Sequence, residues 1–198
     1  MIKIQKKPMG AYQTNCYIVT KNKQDIIIDP GIDATNWVIQ NVTNPIAILN
    51  THGHFDHVWS NQALKEKFHI PIYIPKEDAF MLKDDPFEQG TPPSVPDVEI
   101  NGDSEFTLGE FVIIYRHFPG HTPGCSVIEI EDHMFSGDFV FQNSIGRVDF
   151  PYSNPQDMKK SIKKFLTYKK DMLIHPGHGE DTTIRYEQKS IANWLNYI

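Results

Sequence analysis

With 198 residues the chain can bury a substantial core, and a single domain spanning 1–198 is expected. Its 39% hydrophobic and 22% charged residues give the composition of a globular protein in water. No stretch approaches the roughly 18–20 consecutive apolar residues of a membrane helix, and a formal charge of −6 argues against a nucleic-acid partner.

The N-terminus, Met1 to Lys7, alternates lysine with aliphatic residues and has no apolar block of the signal-peptide kind, so a first strand and a cytoplasmic location are expected. The pattern predicts short strands at Ile2–Lys6, Cys16–Thr20 and Asp25–Asp29, then a helix over Asp33–Gln40. A buried strand at Ile46–Leu49 delivers the chain to Thr51, helical spacing covers Val58–Phe68, and Pro71 restarts the chain as the strand Ile72–Ile74. Lys83–Pro96 carries four prolines and reads as a surface loop or lid. Strands at Phe111–Arg116, Ser126–Ile130 and His133–Phe135 follow, then a helix at Asp157–Leu166, a strand at Met172–Ile174 and a closing helix at Arg185–Tyr197. Runs of strands followed by helices in each half suggest sheets sandwiched between helical layers. The lysines at 159, 160, 163 and 164 fit the solvated side of a helix. Cys16 and Cys125, too few and too distant for a disulfide framework, read as buried thiols.

Four potential metal ligands fall within six positions: His52, His54, Asp56 and His57. They follow a strand and precede a helix, where a rigid scaffold presents functional groups. In an extended segment His52, His54 and Asp56 share one parity, while His57 starts the turn and points elsewhere, so one loop can serve two ions. His121 lies in Pro-Gly-His-Thr-Pro-Gly, Asp138 in Phe-Ser-Gly-Asp and His178 in Pro-Gly-His-Gly, each beside a predicted strand. His69, His117, His133 and His175 read as structural, and Trp37, Trp59 and Trp194 as packing residues.

Thr-His-Gly-His-Phe-Asp-His at 51–57, followed in order by His121, Asp138 and His178, resembles the metallo-β-lactamase superfamily over essentially the whole chain. Thr14–Tyr17, Ile28–Gly31, His121–Gly124 and Ser144–Phe150 look most like its small glyoxalase II-like (hydroxyacylglutathione hydrolase-like) branch. The resemblance implies an α/β fold, the four-layer αβ/βα sandwich of two mixed sheets flanked by helices, with metals at the rim where the sheets meet. It implies that His52, His54 and His121 bind one divalent ion, that Asp56, His57 and His178 bind a second, and that Asp138 bridges both. Zinc is the first expectation, with iron and manganese equally compatible by ligand type. Asp29 would hold the histidine loop by hydrogen bonds, or serve as a plain turn acid before Pro30-Gly31.

The implied activity is metal-dependent hydrolysis by a hydroxide held between the ions, with Asp56 both ligating and orienting it, acting on a thioester such as S-lactoylglutathione. The expected partner is thus a small-molecule ester or thioester; nothing sets an oligomeric state. Arg147 stands where glyoxalase II enzymes keep a basic residue for glutathione; it either grips a substrate carboxylate or pairs with Asp149. Those enzymes also draw glutathione contacts from a C-terminal helical region, for which only Arg185–Ile198 is available here. Two other activities share these motifs. One is a persulfide dioxygenase whose single iron would use His52 or His54 with His121 and Asp138; the other is a lactonase. Purely structural metals fit poorly, because a structural zinc needs only four ligands closed around one ion.

Overall fold

The computed structural model describes residues 1–198. The first half runs β1 (Lys3–Met9), β2 (Thr14–Lys21), β3 (Gln24–Ile28), α1 (Ala34–Asn41), β4 (Pro45–Leu49), α2 (Phe55–Val58), α3 (Asn61–Phe68), β5 (Ile72–Pro75), α4 (Met81–Asp84) and β6 (Val98–Ile100). The second runs β7 (Ser104–Leu108), β8 (Phe111–His117), β9 (Ser126–Ile130), β10 (His133–Gly137), β11 (Val140–Phe141), β12 (Ser144–Ile145), α5 (Pro155–Phe165), β13 (Leu173–Pro176), β14 (Thr182–Thr183) and α6 (Ile184–Glu187). No helix is long and apolar enough to cross a membrane.

Two six-stranded mixed sheets result, ordered β1-β2-β3-β4-β5-β6 and β14-β13-β10-β9-β8-β7, with β11 and β12 as a separate hairpin. Strand periodicity explains the layering. Ile26 and Ile28 of β3, and Ala47 and Leu49 of β4, enter one apolar cluster with Ile113, Tyr115, Ile128 and Phe135 of the other sheet. Ile27 and Ile48 point the opposite way, into a cluster with Val38 of α1 and Leu64 of α3. Val127 and Met134 likewise turn outward onto Met158, Ile162 and Phe165 of α5. Each sheet is therefore apolar on both faces, which is why its central strands read as continuous hydrophobic runs. The expected αβ/βα sandwich of two mixed sheets flanked by helices is observed.

Helix α5 shows how local sequence sets an element. Asn154 caps it by accepting from the amides of Gln156 and Asp157, and Pro155 follows. Met158, Ser161, Ile162 and Phe165 form its buried stripe, which leaves Lys160 and Lys163 in water.

Three expectations need correction. The helix expected over Val58–Phe68 starts at Phe55 and breaks at Trp59–Ser60, because Ser60 turns aside to donate its amide to the Pro30 carbonyl and its hydroxyl to that of Gly31. The break leaves Asp56 inside a helical turn, so it does not share an extended parity with His52 and His54. The closing helix expected over Arg185–Tyr197 is α6 followed by a separate 3₁₀ helix at Ile191–Asn196. Amides bonding to the third residue back, Ser190 to Glu187 and Asn193 to Ser190, tighten the chain there. The short strands β6, β7, β11, β12 and β14 were not expected.

Candidate metal centre

The strand ends carry the site. β4 runs out into Asn50–Gly53, β8 and β9 are joined by the His121 turn, β10 ends one residue before Asp138, and β13 ends two residues before His178. Asp29, itself just past β3, fixes the first of these loops. Its carboxylate accepts from the Thr51 amide (2.8 Å), the Thr51 hydroxyl (2.6 Å) and His57 Nδ1 (3.0 Å).

Those bonds also decide which ring nitrogens are free. His57 gives Nδ1–H to Asp29, His121 gives Nδ1–H to the Arg147 carbonyl (2.8 Å), and His178 gives Nδ1–H to the Tyr12 carbonyl (3.0 Å). Thr51 Oγ1 lies 3.0 Å from His52 Nδ1. Occupying Nδ1 in this way fixes the tautomer and aims each Nε2 inward, as at metal sites whose second ring nitrogen is held by the protein. His54 alone is reversed, with its Nδ1 2.9 Å from His121 Nε2.

Two sets of ligand atoms converge. Those of His52, His54 and His121 lie within 4.8 Å of one another, and so do those of Asp56, His57 and His178. Asp138 stands between them, with Oδ2 3.4 Å from His121 Nε2 and from His178 Nε2, and Oδ1 3.3 Å from His57 Nε2. All seven residues picked out in the sequence are thereby brought together. His69, His117, His133 and His175 lie outside these sets. A third convergent set, Asp29, His52 and His57, already has its carboxylate filled by three donors.

The donors fit divalent ions. His52 Nε2, His57 Nε2 and Asp138 Oδ1 are buried without a hydrogen-bond partner, an arrangement that costs on the order of 1–3 kcal/mol per group unless something binds there. A side chain at Gly177 would fall against Asp138 Oδ1 and His57 Cε1, so the chain passes bare at that point.

The two sets differ in charge. Burial, reinforced by neighbouring imidazoles, holds His52 and His121 below the usual histidine range and takes His54 down to about 3. Burial also pushes His57 and His178 down, but Asp56 and Asp138 overrule it, raising His57 well above its ordinary value and His178 to about 9. Against their own burial, His57 holds Asp138 far below the carboxylate range and His57 with His178 holds Asp56 at about 2. Without metal, the first set is neutral and the second is a network of ion pairs.

A cavity of about 770 Å³ opens over both sets. Tyr12, Phe55, Phe87, Phe141 and Phe150 supply most of its apolar wall, and the Lys83–Pro96 loop contributes Pro86 to Gln89. Arg147 lines it too, and of its two expected partners, a substrate carboxylate or Asp149, its guanidinium here donates twice to Asp149 (2.9 and 2.7 Å); it also sits 4.2 Å above the Phe150 ring, a contact not expected. Residues with no role of their own assigned from the sequence also shape the site. Thr14 donates to Asp56 Oδ2 at 2.6 Å, and Tyr12 orients His178 through a backbone carbonyl, a contact with no side-chain signature. Cys16 and Cys125 are buried free thiols outside the cavity wall.

This fold, with these strand-end loops, is that of the metallo-beta-lactamase superfamily: the Lactamase_B family matches residues 9–178, and the chain belongs to it. Among curated relatives it is 36% identical over 200 residues to the hydroxyacylglutathione hydrolase GloC of Haemophilus influenzae, covering 92% of this chain and 93% of that one. Among solved structures it resembles the BLEG-1 B3 metallo-beta-lactamase, with a TM-score of 0.87 and 32% identity over 98% of this chain and 99% of the other. It also resembles TTHA1623 in a di-iron-bound form, with a TM-score of 0.82 and 29% identity over 94% and 98% of the two chains.

Proposed function

We propose that the chain is a two-metal hydrolase that cleaves a thioester, with S-lactoylglutathione as the first substrate to test. The observation that carries this reading is the joining of two three-residue sets by Asp138 beneath one cavity. Zinc is the first ion to test, with iron or manganese equally compatible with these imidazole and carboxylate donors, and the GloC relative supports a glutathione thioester.

His52, His54 and His121 would hold one ion, Asp56, His57 and His178 the other, and Asp138 both. Divalent ions bound there supply Lewis acidity and lower the pKa of water from about 16 to about 7. The protein's own groups do the rest. Asp56, fixed by Thr14, keeps an acceptor oxygen beside the Asp138 side of the centre and can take a hydrogen bond from the attacking water, which orients it. Asp29, the Arg147 carbonyl and the Tyr12 carbonyl keep the imidazoles from rotating as charge moves. The aromatic wall excludes bulk water from the acyl group and strengthens each of these electrostatic contacts.

No thiol faces the cavity, and the one serine on its wall, Ser144, sits in the β11–β12 hairpin with its hydroxyl 3.4 Å from the Ile145 carbonyl. The attack is therefore by water and not through an acyl-enzyme. A thiolate leaves without proton donation, which suits a centre with no separate general acid. Arg147 would hold a substrate carboxylate at the rim in exchange for Asp149.

The test is hydrolysis of S-lactoylglutathione beside neutral thioesters and lactones, with oxygen uptake on glutathione persulfide followed in parallel. Thioester turnover without oxygen uptake is expected. Oxygen consumption with one iron per chain would overturn the hydrolase, and preference for lactones would replace the thioester.

A further inference from the structure

Outside the centre, one buried carboxylate has hydrogen bonds that only its position between two loops explains. Asp78 ends the 3₁₀ turn Lys76–Asp78 that follows β5, and none of its surface reaches solvent. Its Oδ2 accepts from the Gly53 amide (3.0 Å) and the Thr122 hydroxyl (2.6 Å), and its Oδ1 accepts from the Gly124 amide (2.6 Å). Gly53 separates His52 from His54, and Thr122 follows His121 directly. One carboxylate thus bonds to both backbone segments that carry the three-histidine set, on the first of them at Gly53, ahead of the helix α2 that holds Asp56 and His57, and it bonds to neither the segment of Asp138 nor that of His178.

We propose that Asp78 is a positioning residue for the three-histidine site: it ties the His52–His54 loop to the His121 turn so that three imidazoles stand ready for one ion. This rests on the metal role proposed above for those histidines.

Three observations support it. First, the chemistry of the acceptor is matched, since three donors point at two oxygens with no cation beside them; the charge of an ionised carboxylate is spread over bonds of the strong, charge-assisted kind. Second, glycine at 124 is what allows the approach, because a Cβ there would stand 2.8 Å from both Cγ and Oδ1 of Asp78. Third, apart from the contact of the ligand imidazoles His54 and His121 themselves, the link between the two loops is a backbone bond from the Ser126 amide to the Thr51 carbonyl (3.0 Å), on the far side of His52 from Gly53. That bond sets the spacing of the strands but leaves the backbone at Gly53 to Asp78. Asp29 and Asp78 accordingly divide the work, Asp29 holding Thr51 and His57, and Asp78 holding Gly53 and the His121 turn. Asn in place of Asp78 keeps the shape but turns an NH₂ toward at least one of three donors, so the two loops lose their common anchor.

The experiment uses the full chain in a His178→Ala background, where only the three-histidine site is intact. Zinc affinity is read by competition with a chromophoric chelator and site geometry by the visible spectrum of the cobalt(II) form. Asp78→Asn is expected to weaken zinc binding at this site by about 10- to 100-fold, as loss of a partner behind a ligand does. It should also alter the cobalt spectrum, whereas the intact Asp56, His57 and His178 site, read in a His52→Ala background, keeps its affinity. A merely structural Asp78 would lower the melting temperature and move both sites alike, and that result overturns the proposal. Should Asp78→Asn not fold, Thr122→Val decides, because it removes one of the three bonds: a several-fold loss confined to the three-histidine site, restored by Thr122→Ser, supports the role, and unchanged affinity refutes it. If zinc binding in the His178→Ala background is already indifferent to His52→Ala, the metal reading falls and the positioning role falls with it.

Discussion

The two halves of the centre are built from similar residues yet behave oppositely. His52, His54 and His121 are three neutral imidazoles in a desolvated pocket. Asp56, His57 and His178, with Asp138, are two carboxylates and two imidazoliums whose charges offset one another when no metal is bound. The first half is held in place by the protein around it, since neutral imidazoles have no charge to draw them together; the second is held together by its own charges. An ion entering the first displaces no proton, whereas an ion entering the second displaces those on His57 and His178. Similar ligand lists therefore do not imply similar affinities or similar pH dependence.

The largest effect should come from the residue the two halves share. Asp138→Ala removes the carboxylate facing His57, His121 and His178, and kcat/KM for thioester hydrolysis should fall on the order of 10³-fold, with loss of bound metal at both sites. Retention of one tightly bound ion and most of the activity would show that the halves work independently.

Next comes the pH dependence that separates them. His178 in the metal-free protein has its pKa raised to about 9 from an ordinary 6.5. A raised histidine pKa stabilises the fold fully below the unfolded value and loses that contribution as pH climbs through the folded value. The melting temperature of the metal-free protein should thus drop between about pH 6.5 and pH 9, and loading with metal should flatten the drop. Calorimetric titration at pH 7.5 in buffers of different ionisation enthalpy should detect protons released by the second ion; release by the first ion instead would reverse the assignment.

A smaller effect is expected at the rim. The Arg147–Asp149 pair is exposed, so solvent screens it and it is readily exchanged. Asp149→Asn should free Arg147 and lower KM for carboxylate-bearing thioesters by about 2- to 5-fold, the small effect that a screened pair allows. Neutral thioesters should be unchanged, and Arg147→Ala should raise KM for the anionic ones alone. The smallest effect on activity serves as a control: Asn154→Ala removes the cap of α5 and should cost about 1 kcal/mol of stability in denaturant titration while leaving metal binding intact.

What the sequence discloses follows the same division. His52 to His57 is legible because four ligand-type side chains crowd one strand end, and the central strands are legible because both of their faces are buried. β7, by contrast, alternates between exposed and half-buried residues at a sheet edge, and β11, β12 and β14 are two-residue strands too short to leave a period. The break at Ser60 depends on a loop 29 residues away, and no local pattern announces it. Asp78 reads in sequence as one acid among Lys76-Glu77-Asp78; only folding shows that Glu77 faces solvent while Asp78 is enclosed between two loops. Side chains that act through backbone amides leave no motif of their own.

The central claim, two ions at two different sets of residues, is tested most directly by counting metal per chain in the purified, zinc-loaded protein and in His178→Ala. Two ions falling to one, with the remaining ion lost on adding His52→Ala, is the predicted result. A single ion in both proteins would contradict it.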